Sequence, residues 1–193
     1  MFEFCTSPIE GEIFARINGV SYHENTHITP DELIFITLTH YGTDGREHAG
    51  ELVVNRLIEH KLRNIFGSLY EAKYVIEKMR LVDNYGADDV LSMADNNSSA
   101  FNYRVIADTD ILSRHALGLA IDINPLYNPY ITYIGGKEKC SPIEGLPYCD
   151  RTKSFPMKID RDDLCYKQFT AHGFTWGGDW QNSKDYQHFE YKL

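Results

Sequence analysis

Apolar residues recur along this chain with two different periods, and each period predicts a different kind of element. Pro30-Asp31-Glu32-Leu33 followed by Ile34 to Tyr41 reads as a strand, and His48 to Val54 reads as its partner across the turn Gly42 to Gly45. From Asn55 to Tyr70 the spacing becomes helical, with Leu57, Ile58, Leu62, Ile65, Phe66 and Leu69 on one broad face. Ala72 to Met79 extends that helix after a break, and Ile76, Met79, Leu81 and Val82 join the core. Residues 83–97 are rich in Asp and Asn and read as loop. Leu119, Ile121 and Ile123 then alternate with Ala120, Asp122 and Asn124, the period-two pattern of a strand with one apolar face. Its Ala/Asp/Asn face would turn toward a cleft. Asn124 to Pro129 ends the strand with turn chemistry. Residues 132–156 form a Gly/Pro/Lys loop of the length of a lid or binding loop, and 160–172 form a second helix. Trp176 to Trp180 is a tight turn, and Asp185 to Tyr191 is extended.

Chemistry concentrates in two of these segments. His115, Asp122 and His188 stand at metal-ligand positions, and Asp185 lies three residues before the last histidine. Three protein ligands, an open position for water and a separate acid/base are the inventory of a hydrolytic zinc site. Gly118 favours a bend over helix continuation, which puts His115 where it can meet Asp122. A lone histidine is more often structural than ligating. An aspartate on an otherwise apolar strand is harder to dismiss, because a buried carboxylate needs a pair or a metal. Glu190 reads as an acceptor for the other ring N–H of a ligand histidine. Trp176, beside the glycine turn, is a candidate wall of a substrate pocket. His48 and Glu51 read as structural.

The pattern Ser-x-His-x-x-Gly-x-Ala-x-Asp fits at Ser113, His115, Gly118, Ala120 and Asp122, and Asp-x-x-His fits at Asp185 and His188. Together they resemble the M15 family of zinc peptidases. That family includes the D-alanyl-D-alanine carboxypeptidases and dipeptidases of vancomycin resistance and the L-alanyl-D-glutamate endopeptidases of bacteria and phages. The Trp-Gly-Gly-Asp-Trp run and the His-Phe-Glu ending look like the endopeptidase branch. The resemblance spans about Ser98 to the end of the chain. It implies that His115, Asp122 and His188 bind zinc, that Asp185 is the catalytic acid/base, and that Arg104 binds substrate and helps to stabilise the tetrahedral oxyanion. Ser113 would support this substrate-binding region through hydrogen bonds. The vancomycin-resistance members carry Glu where this chain has Asp185, so their substrate preference does not transfer directly.

The implied substrate is a peptidoglycan stem peptide. The guanidinium fork of Arg104 suits a carboxylate. Both D-Ala-D-Ala and L-Ala-D-Glu place a D-residue with a free α-carboxylate after the scissile bond, so Arg104 does not choose between them. The expected fold is α+β: a small antiparallel sheet carrying the zinc site, packed with helices. One metallopeptidase domain would cover 1–193, with residues 1–30 open as an N-terminal extension. A non-catalytic zinc-containing module that binds the cell wall is the alternative from a different class.

Composition narrows these readings. The 193 residues include 42% hydrophobic residues, enough for an ordinary core, and 13 tyrosines and 10 phenylalanines. A net charge of −9 argues against nucleic acid as a partner and predicts repulsion from anionic wall polymers. No apolar run is long enough for a transmembrane helix, which needs roughly 18 residues. Met1 to Cys5 has no features of a signal peptide. A wall enzyme would then need a leader already removed, or another route such as phage-style lysis. Of the four cysteines, Cys140 and Cys149 flank a loop whose closure by a disulfide would stabilise by roughly 2–3 kcal/mol, and Cys5 and Cys165 read as free and buried.

Overall fold

The computed structural model describes residues 1–106 and 109–193. Its first sheet is antiparallel and contains β1 (Phe4–Pro8), β2 (Leu33–Tyr41) and β3 (Glu47–Asn55), with helix α1 (Gly11–Ile17) between β1 and β2. The apolar run of β2 is buried on both faces. Ile34, Ile36 and Leu38 enter the main core, while Leu33 and Phe35 face a second cluster with Ile9, Ile17, Tyr22 and Ile28. From residues 1–30, Phe4–Pro8 pairs with β2, and Ile9, Ile17, Tyr22 and Ile28 pack in the second cluster.

Helix α2 (Glu59–Glu71) packs its Leu62, Ile65, Phe66 and Leu69 face into the main core. Full burial of each such side chain is worth roughly 1.5–3 kcal/mol. Leu57 precedes α2 in a 3₁₀ turn and is 57% exposed, so it does not belong to that face. The helix does not continue after Glu71. Lys73 takes a left-handed φ of 51°, and Ile76 N–H then bonds to the Tyr41 carbonyl at the sheet edge. Beyond it, β4 (Lys78–Met79) pairs in parallel with β5 (Asn97–Ser98).

The segment 83–97 is not simply loop either. It contains a 3₁₀ turn at Val82–Tyr85 and helix α3 (Asp89–Ala94), capped by Asp88, whose Oδ1 accepts from Val90 and Leu91 N–H. Asn96 and Asn97 are buried because their amides are used. Asn97 exchanges hydrogen bonds with Arg80 and donates to Ser92 Oγ, and Asn96 donates to Glu77 and accepts from Leu126 N–H.

The C-terminal half carries two more small sheets. Strands β6 (Ala120–Asp122), β7 (Tyr130–Ile134) and β8 (Lys137–Ser141) come first. Helix α4 (Leu164–Ala171), β9 (Phe174–Trp176), β10 (Ser183–Asp185) and β11 (His188–Tyr191) follow. The sheet orders are β10-β7-β8 and β6-β11-β9, both antiparallel. The first part of the expected 132–156 loop, to Ser141, is a hairpin, because Gly135 and Gly136 supply the positive φ values that a tight β7–β8 turn requires. A 3₁₀ turn at Ile143–Tyr148 follows. Phe169 of α4 stacks on Phe189 of β11 at 4.3 Å and meets Phe66 of α2 edge-on at 6.2 Å, which locks the last sheet to the core.

The architecture is α+β. All four cysteines are free: Cys5 is exposed, and Cys140 and Cys149 are not bridged. Among the described residues, no helix is long and apolar enough to cross a membrane.

Candidate active site

His115 sits on a 3₁₀ turn, His115–Leu117, whose entry is fixed by Ser113: its Oγ accepts the His115 N–H at 3.2 Å. Gly118 closes the turn with φ +65°. A Cβ there would stand 2.5 Å from the Asn55 backbone nitrogen, so only glycine lets the turn dock on the end of β3. The Gly118 carbonyl accepts from that same Asn55 N–H at 2.9 Å. His115 Nδ1 meets the Ala100 carbonyl, which assigns the proton to Nδ1 and leaves the Nε2 lone pair facing inward.

Asp122 is held by its backbone from two sides. It exchanges N–H···O bonds with Ser99 on one side and stands opposite His188 of β11 on the other. Of the alternating face Ala120/Asp122/Asn124, only Asp122 opens toward the site. Ala120 and Asn124 are fully buried, and Asn124 instead clamps Val75 and Glu77 through its amide.

The three side chains converge. His115 Nε2 lies 3.2 Å from Asp122 Oδ2 and 3.1 Å from His188 Nδ1, and His188 Nδ1 lies 3.0 Å from Asp122 Oδ1. Their ligand atoms all fall within 4.8 Å of one another. On its outer side, His188 Nε2 faces Glu190 Oε2 at 3.5 Å, the carboxylate contact expected of a ligand histidine.

The electrostatics point the same way. Burial opposes a charge on His188, but Asp122 and Glu190 outweigh it and push its pKa up to about 10. Burial likewise opposes the Asp122 charge, and His115 and His188 hold its carboxyl well below the usual range. The hydrogen bond from His188 draws Glu190 down to about 2. The inward Nε2 lone pair of His115 and the Asp122 carboxylate therefore face a point that favours positive charge, whether a proton on His188 or a metal cation in its place.

Asp185 ends β10, opposite Tyr130. A Cβ on Gly177 would be 2.7 Å from the Asp185 Cβ, so that glycine permits the approach of the two segments. Asp185 Oδ1 is buried and has no hydrogen-bond partner among the described residues. Burial, helped by the charge of Asp122 and opposed by His188, raises its pKa to about 7. It is a carboxyl poised to exchange a proton near neutral pH.

Other expected residues are placed differently. Trp176 is 5% exposed in the main core, with its indole N–H on the Tyr186 carbonyl at 2.9 Å, so it is not a pocket wall. Trp180, half-buried, lies 5.3 Å from the His188 ring. The first tryptophan of the motif falls on a strand facing the core and the second follows the turn, a difference that composition does not signal. Ser113 is buried and its hydroxyl serves the His115 backbone, so it supports the site without facing a substrate. Arg104 is ion-paired with Asp89, and its carbonyl accepts the Ser113 N–H at 3.1 Å. His48 pairs with Asp44 and Glu51 with Arg16, which leaves no shared site for the two.

Three convergent ligands with an adjacent buried carboxyl are the side-chain set of a metal-dependent hydrolase. Residues 107–191 match the model of an M15 peptidase family described as D-alanyl-D-alanine carboxypeptidase, which supports the family resemblance and a peptidase function on cell-wall peptides. That span contains His115, Asp122, Asp185 and His188, and Arg104 precedes it. Among curated proteins and among solved structures, nothing matches the chain.

Proposed function

We propose that the protein is a zinc-dependent peptidase that cuts the peptidoglycan stem peptide beside a D-amino acid, with L-Ala-D-Glu as the first candidate bond. The observation that carries this reading is the convergence of His115, Asp122 and His188, with the Asp185 carboxyl, whose Oδ1 has no hydrogen-bond partner among the described residues, within reach of their charges. His115, Asp122 and His188 would hold the zinc. Zinc supplies Lewis acidity and lowers the pKa of a water toward ~7. Asp185 accepts a proton from the attacking water and returns it to the leaving amine. Trp180 provides an apolar wall beside His188. Arg104, oriented by Asp89, offers its remaining N–H donors to a free α-carboxylate.

The short Asp185 and the Glu190 contact to His188 support the endopeptidase reading. The description of the matching family favours a D-Ala-D-Ala carboxypeptidase as the second reading. Mass spectrometry of products from a defined pentapeptide stem, with and without chelator, separates them. A cut between L-Ala and D-Glu establishes the first, and loss of one terminal alanine establishes the second. No product from protein with stoichiometric zinc would replace both with a wall-binding module. On either peptidase reading the protein acts at the bacterial cell wall.

A further inference from the structure

A cavity of about 530 Å³ opens outside the metal-ligand group. Tyr74, Tyr127, Phe155 and Met157 line its apolar side, and Lys158 and Asp163 its polar edge. A second cavity of about 360 Å³ shares Phe155, Lys158 and Asp163 with it and continues past Thr152 and Ser154. The two form one trough, aromatic at one end and rich in hydroxyls and carboxylates at the other.

The walls of this trough are held in place from behind. Arg151 donates to the Tyr127 carbonyl at 2.8 Å, the Ile159 carbonyl at 2.7 Å and Asn128 Oδ1 at 3.0 Å, and its guanidinium covers the Phe155 ring at 5.0 Å. Asn128 Nδ2 binds the Met157 carbonyl at 2.8 Å, and Met157 takes a φ of +57°. A non-glycine residue keeps such a conformation only when its surroundings impose it. Tyr74 O–H and Cys165 N–H both donate to Asp163 Oδ1, at 3.1 and 2.9 Å, and orient that carboxyl.

The charges restrict the ligand. Lys158 is engaged by the Arg151 carbonyl at 2.7 Å and by Asp160 at 3.6 Å, and Lys153 pairs with Asp150 at 3.4 Å. With its lysines so committed and Asp160, Asp162 and Asp163 along its polar half, the trough does not suit an anion. It suits a neutral molecule with an apolar face for the rings and hydroxyl or amide donors for the carboxylates. We infer that the trough binds a saccharide of the N-acetylhexosamine type. The inference rests on the cell-wall reading above for its natural source, the glycan strand to which stem peptides are attached. Tyr127 follows Asp122 by five residues, and Asn124 between them is clamped to Val75 at 2.8 Å, so the trough and the ligand group share one rigid segment. A strand held in the trough would anchor its stem peptide to the protein that cuts it.

The test titrates the full chain, as purified, with tri-N-acetylchitotriose and follows amide shifts by NMR. Saturable shifts centred on Tyr127, Phe155 and Lys158 are expected, with affinity reduced at least tenfold in Tyr127→Leu and in Phe155→Leu. Hydrolysis of a free stem peptide should change less than twofold in both variants. No saturable shift in the wild-type protein, or shifts centred on Trp180, would overturn the inference without touching the peptidase reading. The peptidase reading fails separately, if free stem peptide is not cut.

Discussion

His115 Nε2 and His188 Nδ1 stand 3.1 Å apart, and each ring has a partner for a proton on its far nitrogen: the Ala100 carbonyl for His115 and Glu190 for His188. With both rings neutral, two lone pairs face each other across Asp122. A proton on His188 or a metal cation relieves that repulsion, and the two compete.

Metal binding should therefore release a proton. The metal-free pKa of His188 is pushed up to about 10, so the ring is charged at pH 7 and must lose one proton to ligate. Calorimetric titration with zinc in buffers of different ionisation enthalpy should give a release near one proton per site. His115→Ala should lose the metal, seen by elemental analysis, and melt at a lower temperature.

Glu190→Gln keeps the shape but removes the charge that faces His188 Nε2. The expected loss is about 10–100-fold in metal affinity, with the fold retained. Competition against a chromophoric chelator measures it. An unchanged affinity would show that the 3.5 Å contact does not tune the ligand.

Asp185→Asn should retain metal and lose roughly 10²–10⁴-fold in hydrolysis. It should also change the pH dependence of stability. The folded-state pKa of Asp185 lies above its unfolded value, at about 7 against 3.8, so the folded state binds the proton more tightly. Its stabilising contribution is full below pH 3.8 and is lost as pH rises through 7. In chelated protein, wild type should lose more melting temperature than Asp185→Asn between pH 4 and 7. Equal slopes would remove Asp185 from the buried set.

Gly118→Ala should destabilise by about 3 kcal/mol or more, since it adds a left-handed alanine to a clash with backbone. The clash is with the Asn55 nitrogen at 2.5 Å, so relief requires moving either β3 or the His115 turn. Urea denaturation should show the loss, accompanied by weaker metal binding.

The two tryptophans should separate cleanly. Trp176→Ala empties a core position and should cost about 3–5 kcal/mol. Trp180→Ala should leave stability nearly unchanged and raise KM, because its ring flanks His188 outside the core. Thermal melts together with steady-state kinetics distinguish the two.

The convergence of His115, Asp122 and His188 was legible because these residues lie in compact motifs whose side-chain chemistry is distinctive. Asp122 could be placed on a strand because Leu119, Ile121 and Ile123 alternate around it. The central strand and α2 were legible from unbroken apolar periodicity. What stayed hidden were polar residues buried by partners distant in sequence. Asn97 bonds to Arg80 and Asn124 to Val75, so polar residues that looked like loop or cleft positions are interior. The course of residues 72–79 was hidden for a similar reason, because the Ile76 N–H donates to the Tyr41 carbonyl across the fold. Trp176 and Trp180 were indistinguishable by type, and only the strand before the turn decides which one is core.

The pairing of β11 with β6 brings together residues far apart in the chain: 66 positions separate Asp122 from His188, and 73 separate His115 from His188. An ion held by all three would act as a cross-link on the unfolded chain as well as a reagent in the folded one. Closing a loop of that length is worth roughly 4 kcal/mol in the chain-entropy treatment of disulfides. In a protein whose four cysteines are all free, the cation would be the staple. Resistance to unfolding would then follow metal supply, and a starved protein would be lost to proteolysis as well as inactive.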